Sequence, residues 1–319
     1  MSQTDTQLRL ATESIPGTRP YQEDAVLTRT LPDGRILVAV ADGMGGHAAG
    51  DVASALALET LLDALEEGRA LEEAFHRANE RVHARARDPD KAGMGTTLVA
   101  MLLEDEEYRV ANVGDSRGYL LTGEGIRRIT EDHSFVAEAV KRGESEDRMR
   151  ESRWKDVLTR SIGNEPEVEV DTFGPFPVEP DSAVILCSDG LYKTLEDDDL
   201  LDLFRRSGGP RAASQTMVST ALERGSDDNI TMAVAEFGEV PRSRPSGTMP
   251  LNWEDGAEED GEPGAGAPPP EGGPAPEVGA GATEPVPGDP RNGRGIPVGA
   301  VLTVVVLAVA ALVLVLLFG

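Results

Sequence analysis

Four short aspartate-bearing stretches recur in one order along the chain: Arg19-Pro-Tyr-Gln-Glu-Asp24-Ala, Ala41-Asp42-Gly43-Met-Gly-Gly46, Ser188-Asp189-Gly190 and Asp228-Asn229-Ile-Thr231. Each acid stands at the end of an apolar run or beside a Gly or Asn that turns the chain. That is how carboxylates from distant segments are carried to one point. At close contact and moderate effective dielectric they repel by about 4 kcal/mol per pair, so such a cluster requires cations. Hard divalent ions such as Mg²⁺ and Mn²⁺ prefer oxygen ligands of this kind. The expected chemistry is that of a two-metal site.

Four further stretches fall between these: Gly95-Thr96-Thr97, Ala111-Asn112-Val113-Gly114-Asp115-Ser116-Arg117, Thr130-Glu131-Asp132-His133-Ser134 and Leu158-Thr159-Arg160-Ser161-Ile162-Gly163. A lone Asp-Gly carries no weight in an acidic, Gly-rich chain, whereas the ordered set is specific. Taken together, residues 8 to 237 resemble the PPM/PP2C family of metal-dependent serine/threonine protein phosphatases. The form Asp42-Gly43-Met44-Gly45-Gly46-His47 resembles its bacterial branch.

The resemblance implies an α+β fold, an αββα four-layer sandwich with metals at one end between the sheets. It implies two Mn²⁺ or Mg²⁺ ions, held by Asp42 as the bridge, the Gly43 carbonyl, Asp189 and Asp228, with Glu23 and Asp24 in or just outside the ligand set. It also implies a weaker third ion at Asp115 and a phosphate-binding role for Arg19, whose planar fork suits a phosphate dianion. Two close cations lower the pKa of a bridging water and neutralise charge on a transferring phosphoryl group, so that water attacks phosphorus in line.

One position departs from the animal relatives. The histidine they carry after the Asp-Gly, proposed there as general acid, is Met44 here. His47 is a weak substitute, since histidines at helix starts are more often structural. His133, between Asp132 and Ser134, reads as a packing or hydrogen-bonding residue, and His76 and His83 as solvated positions on a polar helix. Cys187 is the only cysteine and ends an apolar run, as a buried thiol would. The cysteine-phosphatase pattern would need an Arg six residues later, where Lys193 stands.

The elements expected to position these residues are strands over 35–41 and 183–187, helices over 51–66 (with Asp51 as a possible cap), 71–87, 135–142, 197–206 and 210–224, and a final strand over 230–237. Runs at 97–103, 108–113 and 117–121 suggest an antiparallel meander. Residues 143–155 are charged and aperiodic, a loop with the place of the family's variable flap.

Composition divides the chain into a domain over 1–238, a Pro/Gly/Ala-rich acidic linker over 239–295 expected to be disordered, and an uncharged aliphatic run over 296–318. That run would extend about 34 Å as a helix against a hydrocarbon core of about 30 Å, and is expected to span a membrane. Arg291 and Arg294 precede it, which places the domain in the cytoplasm by the positive-inside bias. The net charge is −27; the linker holds 11 acids and 4 bases, leaving −20 on the domain. Such a body repels nucleic acid. The expected partners are phosphorylated proteins, among them a membrane serine/threonine kinase and its targets. A phosphatase dedicated to an anti-sigma-type regulator and a catalytically silent docking protein are the alternatives; loss of a metal aspartate would favour the latter, and none is lost.

Overall fold

The computed structural model describes residues 7–45 and 49–238. The linker and the apolar run expected beyond them, and His47, lie outside the described residues. Among the described residues no helix is long and apolar enough to cross a membrane.

Twelve strands and seven helices are assigned among these residues. In chain order they are β1 (Leu8–Ile15), β2 (Ala25–Thr30), β3 (Ile36–Ala41), β4 (Gly43–Met44), α1 (Gly50–Glu66), α2 (Leu71–Arg85), β5 (Gly95–Thr96), β6 (Leu98–Glu104), β7 (Glu107–Val113), β8 (Arg117–Leu121), β9 (Ile126–Arg128), α3 (Phe135–Lys141), α4 (Glu146–Arg150), β10 (Asp171–Pro177), β11 (Ser182–Cys187), α5 (Asp189–Tyr192), α6 (Asp197–Arg206), α7 (Pro210–Glu223) and β12 (Ile230–Phe237). One five-stranded sheet runs β1-β12-β11-β8-β9, a second runs β10-β7-β6-β3-β2, and β4 with β5 makes a small ribbon. Every pairing is antiparallel.

Three apolar clusters separate four layers. Val38 and Val40 of β3, Val99 and Met101 of β6, and Val184, Leu186 and Ala233 of the other sheet fill the space between the sheets. Their neighbours in the sequence, Leu37, Ala39, Leu98 and Ala100, point the other way onto Ala53, Ala57 and Leu61 of α1 and Phe75 and Val82 of α2. Likewise Ile185, Cys187, Met232 and Val234 pack on Leu200, Phe204, Met217 and Ala221 of α6 and α7. Side chains alternate across a strand, so a strand covered on both faces reads as an unbroken apolar run, which is why β3, β6, β11 and β12 stand out in the sequence. The layers are those of the expected αββα sandwich.

Four local expectations are corrected. The meander stops after β7: β6 and β7 pair with each other, but β8 joins the other sheet against β11, so the chain crosses between sheets at Gly114-Asp115-Ser116. Asp51 lies inside α1, whose cap is Ala49, and its carboxylate accepts only the neighbouring Val52 N–H. Residues 143–155 contain the short α4, and the loop returns through Trp154, whose ring lies 5.8 Å from that of Phe135 on α3. His83 is not solvated; its Nδ1 lies 3.0 Å from the Gly163 carbonyl.

Candidate metal and phosphate site

Strand register dictates that the acidic positions share one end of the sandwich. Ala25 pairs with Ala41, so Asp24, just before β2, and Asp42, just after β3, leave the sheet side by side. In the other sheet Cys187 pairs with both Met232 and Arg117. Asp189 therefore follows β11, Asp228 precedes β12 and Asp115 precedes β8 at one edge. The two edges meet: the Ser188 hydroxyl donates to Asp24 Oδ2 at 2.7 Å, and Asn229 Oδ1 accepts the Glu23 N–H at 2.7 Å.

Backbone and polar side chains hold each turn. The Asp42 N–H donates to Thr97 Oγ1 at 2.9 Å, and the Asp42 carbonyl accepts from Thr97 N and from Thr96 Oγ1 at 2.8 Å. Thr97 Oγ1 also lies 2.7 Å from Ser116 Oγ, tying the Asp42 turn to the Asp115 turn. Asn229 Nδ2 donates to the Pro16 and Tyr21 carbonyls, which fixes the loop bearing Arg19. At Gly43 a side chain has no room, because a Cβ would stand 2.1 Å from the Gly50 carbonyl and 2.5 Å from that of Glu23. Hence the chain passes here with a bare backbone, immediately after Asp42.

The electrostatics follow from crowding. Burial, opposed by the Ser188 and Thr231 hydroxyls and reinforced by Asp189 and Asp228, pushes Asp24 up from 3.8 to about 7. Asp115 rises to about 7 through burial and the charge of Asp189. Asp42 is held well above the carboxylate range by burial and then by Asp24, Asp189, Asp115 and Asp228. Asp228 is raised chiefly by burial and by Asp189. Asp42 thus feels the charge of all four other acids, and Asp189 acts on each of the rest.

Two side-chain cations partly answer that charge. Arg19 spans Asp228 Oδ2 at 2.8 Å and the Asp227 carbonyl at 2.8 Å. Lys193 Nζ lies 2.6 Å from Asp189 Oδ2 and 3.0 Å from Asp156 Oδ1 of the loop after α4. Among the described residues, no three His, Cys, Asp or Glu side chains are already drawn together as a metal site. The donor set nonetheless fits hard cations: it is all oxygen, strongly negative, and includes the buried Asp189 Oδ1 and Glu23 Oε1, neither with a hydrogen-bond partner. Such orphaned buried oxygens are rare in folded proteins and point to a missing positive partner.

Beside this cluster a cavity of about 450 Å³ runs from Asp115 and Lys193 under α3, with Arg128, Lys141, Lys155 and Tyr192 on its walls. Arg117 stacks 3.6 Å above the Tyr192 ring while pairing with Asp132 at 2.7 Å. Every described site residue expected from the sequence, Arg19, Glu23, Asp24, Asp42, Gly43, Asp115, Asp189 and Asp228, lies at this end. The sequence reading missed Lys193 as a partner of Asp189, although its i,i+4 spacing on α5 was a signal. It also missed the polar pins Thr97, Ser188 and Asn229. The Cys187 thiol is fully buried and pushed up to about 12, which removes it from nucleophilic chemistry.

A family model described as protein phosphatase 2C matches residues 19–224. The serine/threonine phosphatase Stp of Listeria welshimeri is 39% identical over 239 residues, covering 71% of this chain and 94% of that protein. The crystal structure of the Mycobacterium tuberculosis serine/threonine phosphatase PstP/Ppp superposes with a TM-score of 0.63 at 33% identity, over 72% of this chain and 99% of that one. A crystal structure of the PstP catalytic domain in complex with two manganese ions superposes with a TM-score of 0.62 at 32% identity, over 73% and 99%.

Proposed function

We propose, from the premise that the chain belongs to the protein phosphatase 2C family and is a metal-dependent protein serine/threonine phosphatase, that its catalytic centre is the carboxylate cluster at the end of the sandwich. Asp42, the Gly43 carbonyl, Asp189 and Asp228 would hold two divalent cations, Mn²⁺ or Mg²⁺, with Asp24 beside them and Asp115 serving a weaker third. The observation that carries this reading is the convergence of five mutually repelling carboxylates with two orphaned buried oxygens. The relative solved with two manganese ions supports it. When bound, a pair of divalent cations supplies a nucleophilic water at neutral pH and offsets charge on the phosphoryl oxygens.

The chain's own residues do the rest. Arg19, half exposed beside Asp228, offers its guanidinium fork to the phosphoryl oxygens of a phosphoserine or phosphothreonine, so that phosphorus is lined up for attack. Arg19 and Lys193 would compete with such cations for Asp228 Oδ2 and Asp189 Oδ2. With Met44 after the Asp-Gly, no described histidine side chain is named as the acid for the leaving oxygen; His133 is tied up in structural hydrogen bonds. Hydrolysis of a phosphothreonine peptide by the full-length chain tests the reading. Activity should appear with Mn²⁺ and vanish with chelator and in Asp42→Asn; activity indifferent to chelation rejects it.

The same proposal extends to where the enzyme works. The aliphatic run 296–318 would anchor it to the inner face of a cell membrane, and the linker, reaching on the order of 40 Å, would hold it near a membrane serine/threonine kinase and its targets. This rests on the sequence pattern. A chain ending at Gly238 should be active and absent from the membrane fraction; equal membrane recovery of truncated and full-length chains would refute the anchor.

A further inference from the structure

We propose that His133 is a positioning residue for Asp115: it clamps Gly114 at both its backbone N–H and its carbonyl, so that the turn between the sheets presents the Asp115 carboxylate to a cation. The inference rests on the reading of Asp115 as a cation ligand given above.

The turn needs such a device. Val113 is the last residue of β7 and pairs with Leu98; Arg117 opens β8 and pairs with Cys187 in the other sheet. Between them the chain leaves one ladder before entering the next, and a backbone in that gap has no strand partner. Gly114 takes φ +107°, and a Cβ on it would stand 2.6 Å from the Thr97 side chain, so the turn is pressed close against the residue joining β5 to β6.

His133 supplies a partner to both backbone groups of Gly114, sharing the carbonyl with Asn112 Nδ2 at 3.2 Å. The Gly114 N–H donates to His133 Nδ1 at 3.1 Å, and the His133 N–H donates to the Gly114 carbonyl at 3.0 Å. With Nδ1 accepting, the ring proton sits on Nε2 and donates to Asp171 Oδ2 at 3.1 Å. Arg160 in turn donates to Asp171 Oδ1 at 2.6 Å, and the Thr159 N–H donates to the His133 carbonyl at 2.9 Å. The imidazole is 3% exposed. Its tautomer, tilt and height are thus set from the far side by the edge strand β10, and transmitted through the Gly114 N–H to the residue immediately before Asp115. A residue that merely filled space would need neither nitrogen.

Two substitutions separate the roles. In His133→Asn the side-chain oxygen can take the place of Nδ1 and keep the Gly114 bond while losing Asp171. In His133→Gln the amide reaches toward Asp171 and leaves the Gly114 N–H without an acceptor. Mn²⁺ alone is titrated calorimetrically into the full-length chain, with Asp115→Asn as reference and thermal unfolding in chelator as the measure of folding. Asp115→Asn should abolish the weakest Mn²⁺ event. His133→Gln should weaken that same event 10- to 100-fold, the usual effect of losing an outer-shell partner, and His133→Asn should restore it to within a fewfold of wild type, with the tighter events unchanged.

If Asp115→Asn leaves every Mn²⁺ event intact, the ligand reading fails and takes this inference with it. If Asp115→Asn removes an event that His133→Gln leaves at wild-type strength, or if the Asn and Gln variants weaken it equally, the clamp alone is overturned. Should His133→Gln not fold, His133→Asn decides alone: a weakest event within a fewfold of wild type supports the clamp through Gly114, and one weakened tenfold or more refutes it.

Discussion

Replacing Asp24 by asparagine is expected to stabilise the chelator-treated protein at pH 8 and to leave it unchanged at pH 3.5. Asp24 is 7% exposed, and its carboxyl rises from 3.8 to about 7, with burial as the largest cause. The folded chain therefore holds this proton more tightly than the unfolded chain does. Stability is full below 3.8 and falls as pH rises through about 7, because across that window the native state binds more protons. At 1.36 kcal/mol per unit, the rise corresponds to about 4 kcal/mol once both states are ionised. Asparagine carries no charge and still accepts from Ser188 Oγ, so it removes the penalty without losing the bond. For a domain of this size each kcal/mol moves Tm by about 2–4 °C, giving an upper limit of roughly 8–16 °C at pH 8. Asp42 and Asp115 would relax into part of that gain. Scanning calorimetry with EDTA at the two pH values reads the effect. In excess Mn²⁺ the order should reverse, since a ligand that binds only the native state stabilises the wild type more. A variant no more stable than wild type at pH 8, or stabilised equally at pH 3.5, would refute the crowding argument.

Three other substitutions probe separate parts of the centre. Arg19→Ala should raise KM for a phosphothreonine peptide about tenfold or more, the loss of a charge-assisted pair, with Mn²⁺ affinity not weakened; an unaltered KM removes Arg19 from the phosphate site. Lys193→Met should tighten Mn²⁺ binding in calorimetry, because the ammonium 2.6 Å from Asp189 Oδ2 competes with the ion; weaker binding would show that Lys193 supports the site instead. Thr97→Val keeps the side-chain shape but strands the Asp42 N–H and the Ser116 hydroxyl, so denaturant unfolding in chelator should show a loss of about 1–3 kcal/mol.

The acids were legible in the sequence because each stands where an apolar run meets a turn, and that local chemistry survives without knowledge of the partner strand. β3, β11 and β12 were legible for a related reason: each carries a run of four or more consecutive apolar residues, being covered on both faces. β1, β2 and β10 were not. They are edge strands with half-exposed, alternating or Pro- and Gly-bearing sequences, and only pairing with β12, β3 and β7 makes them strands. The crossing at Gly114-Asp115-Ser116 was misread as a hairpin, since a two-sheet packing is decided by residues far apart in the chain. The same holds for the polar pins. Nothing in the sequence near Ser188 announces Asp24, 164 residues away, and nothing near His133 announces Gly114 and Asp171. Lys193 was noticed only as the wrong residue for another mechanism, and its pairing with Asp189 emerges because it caps the one-turn helix that Asp189 opens.

Anomalous diffraction from crystals grown with Mn²⁺ bears most directly on the centre itself. Two strong peaks should lie within coordinating distance of Asp42, one of them also contacting Asp189 and Asp228 and the other the Gly43 carbonyl, with a weaker third beside Asp115. Peaks elsewhere on this acidic surface, or none at the end of the sandwich where β3, β11 and β12 meet, would contradict the account.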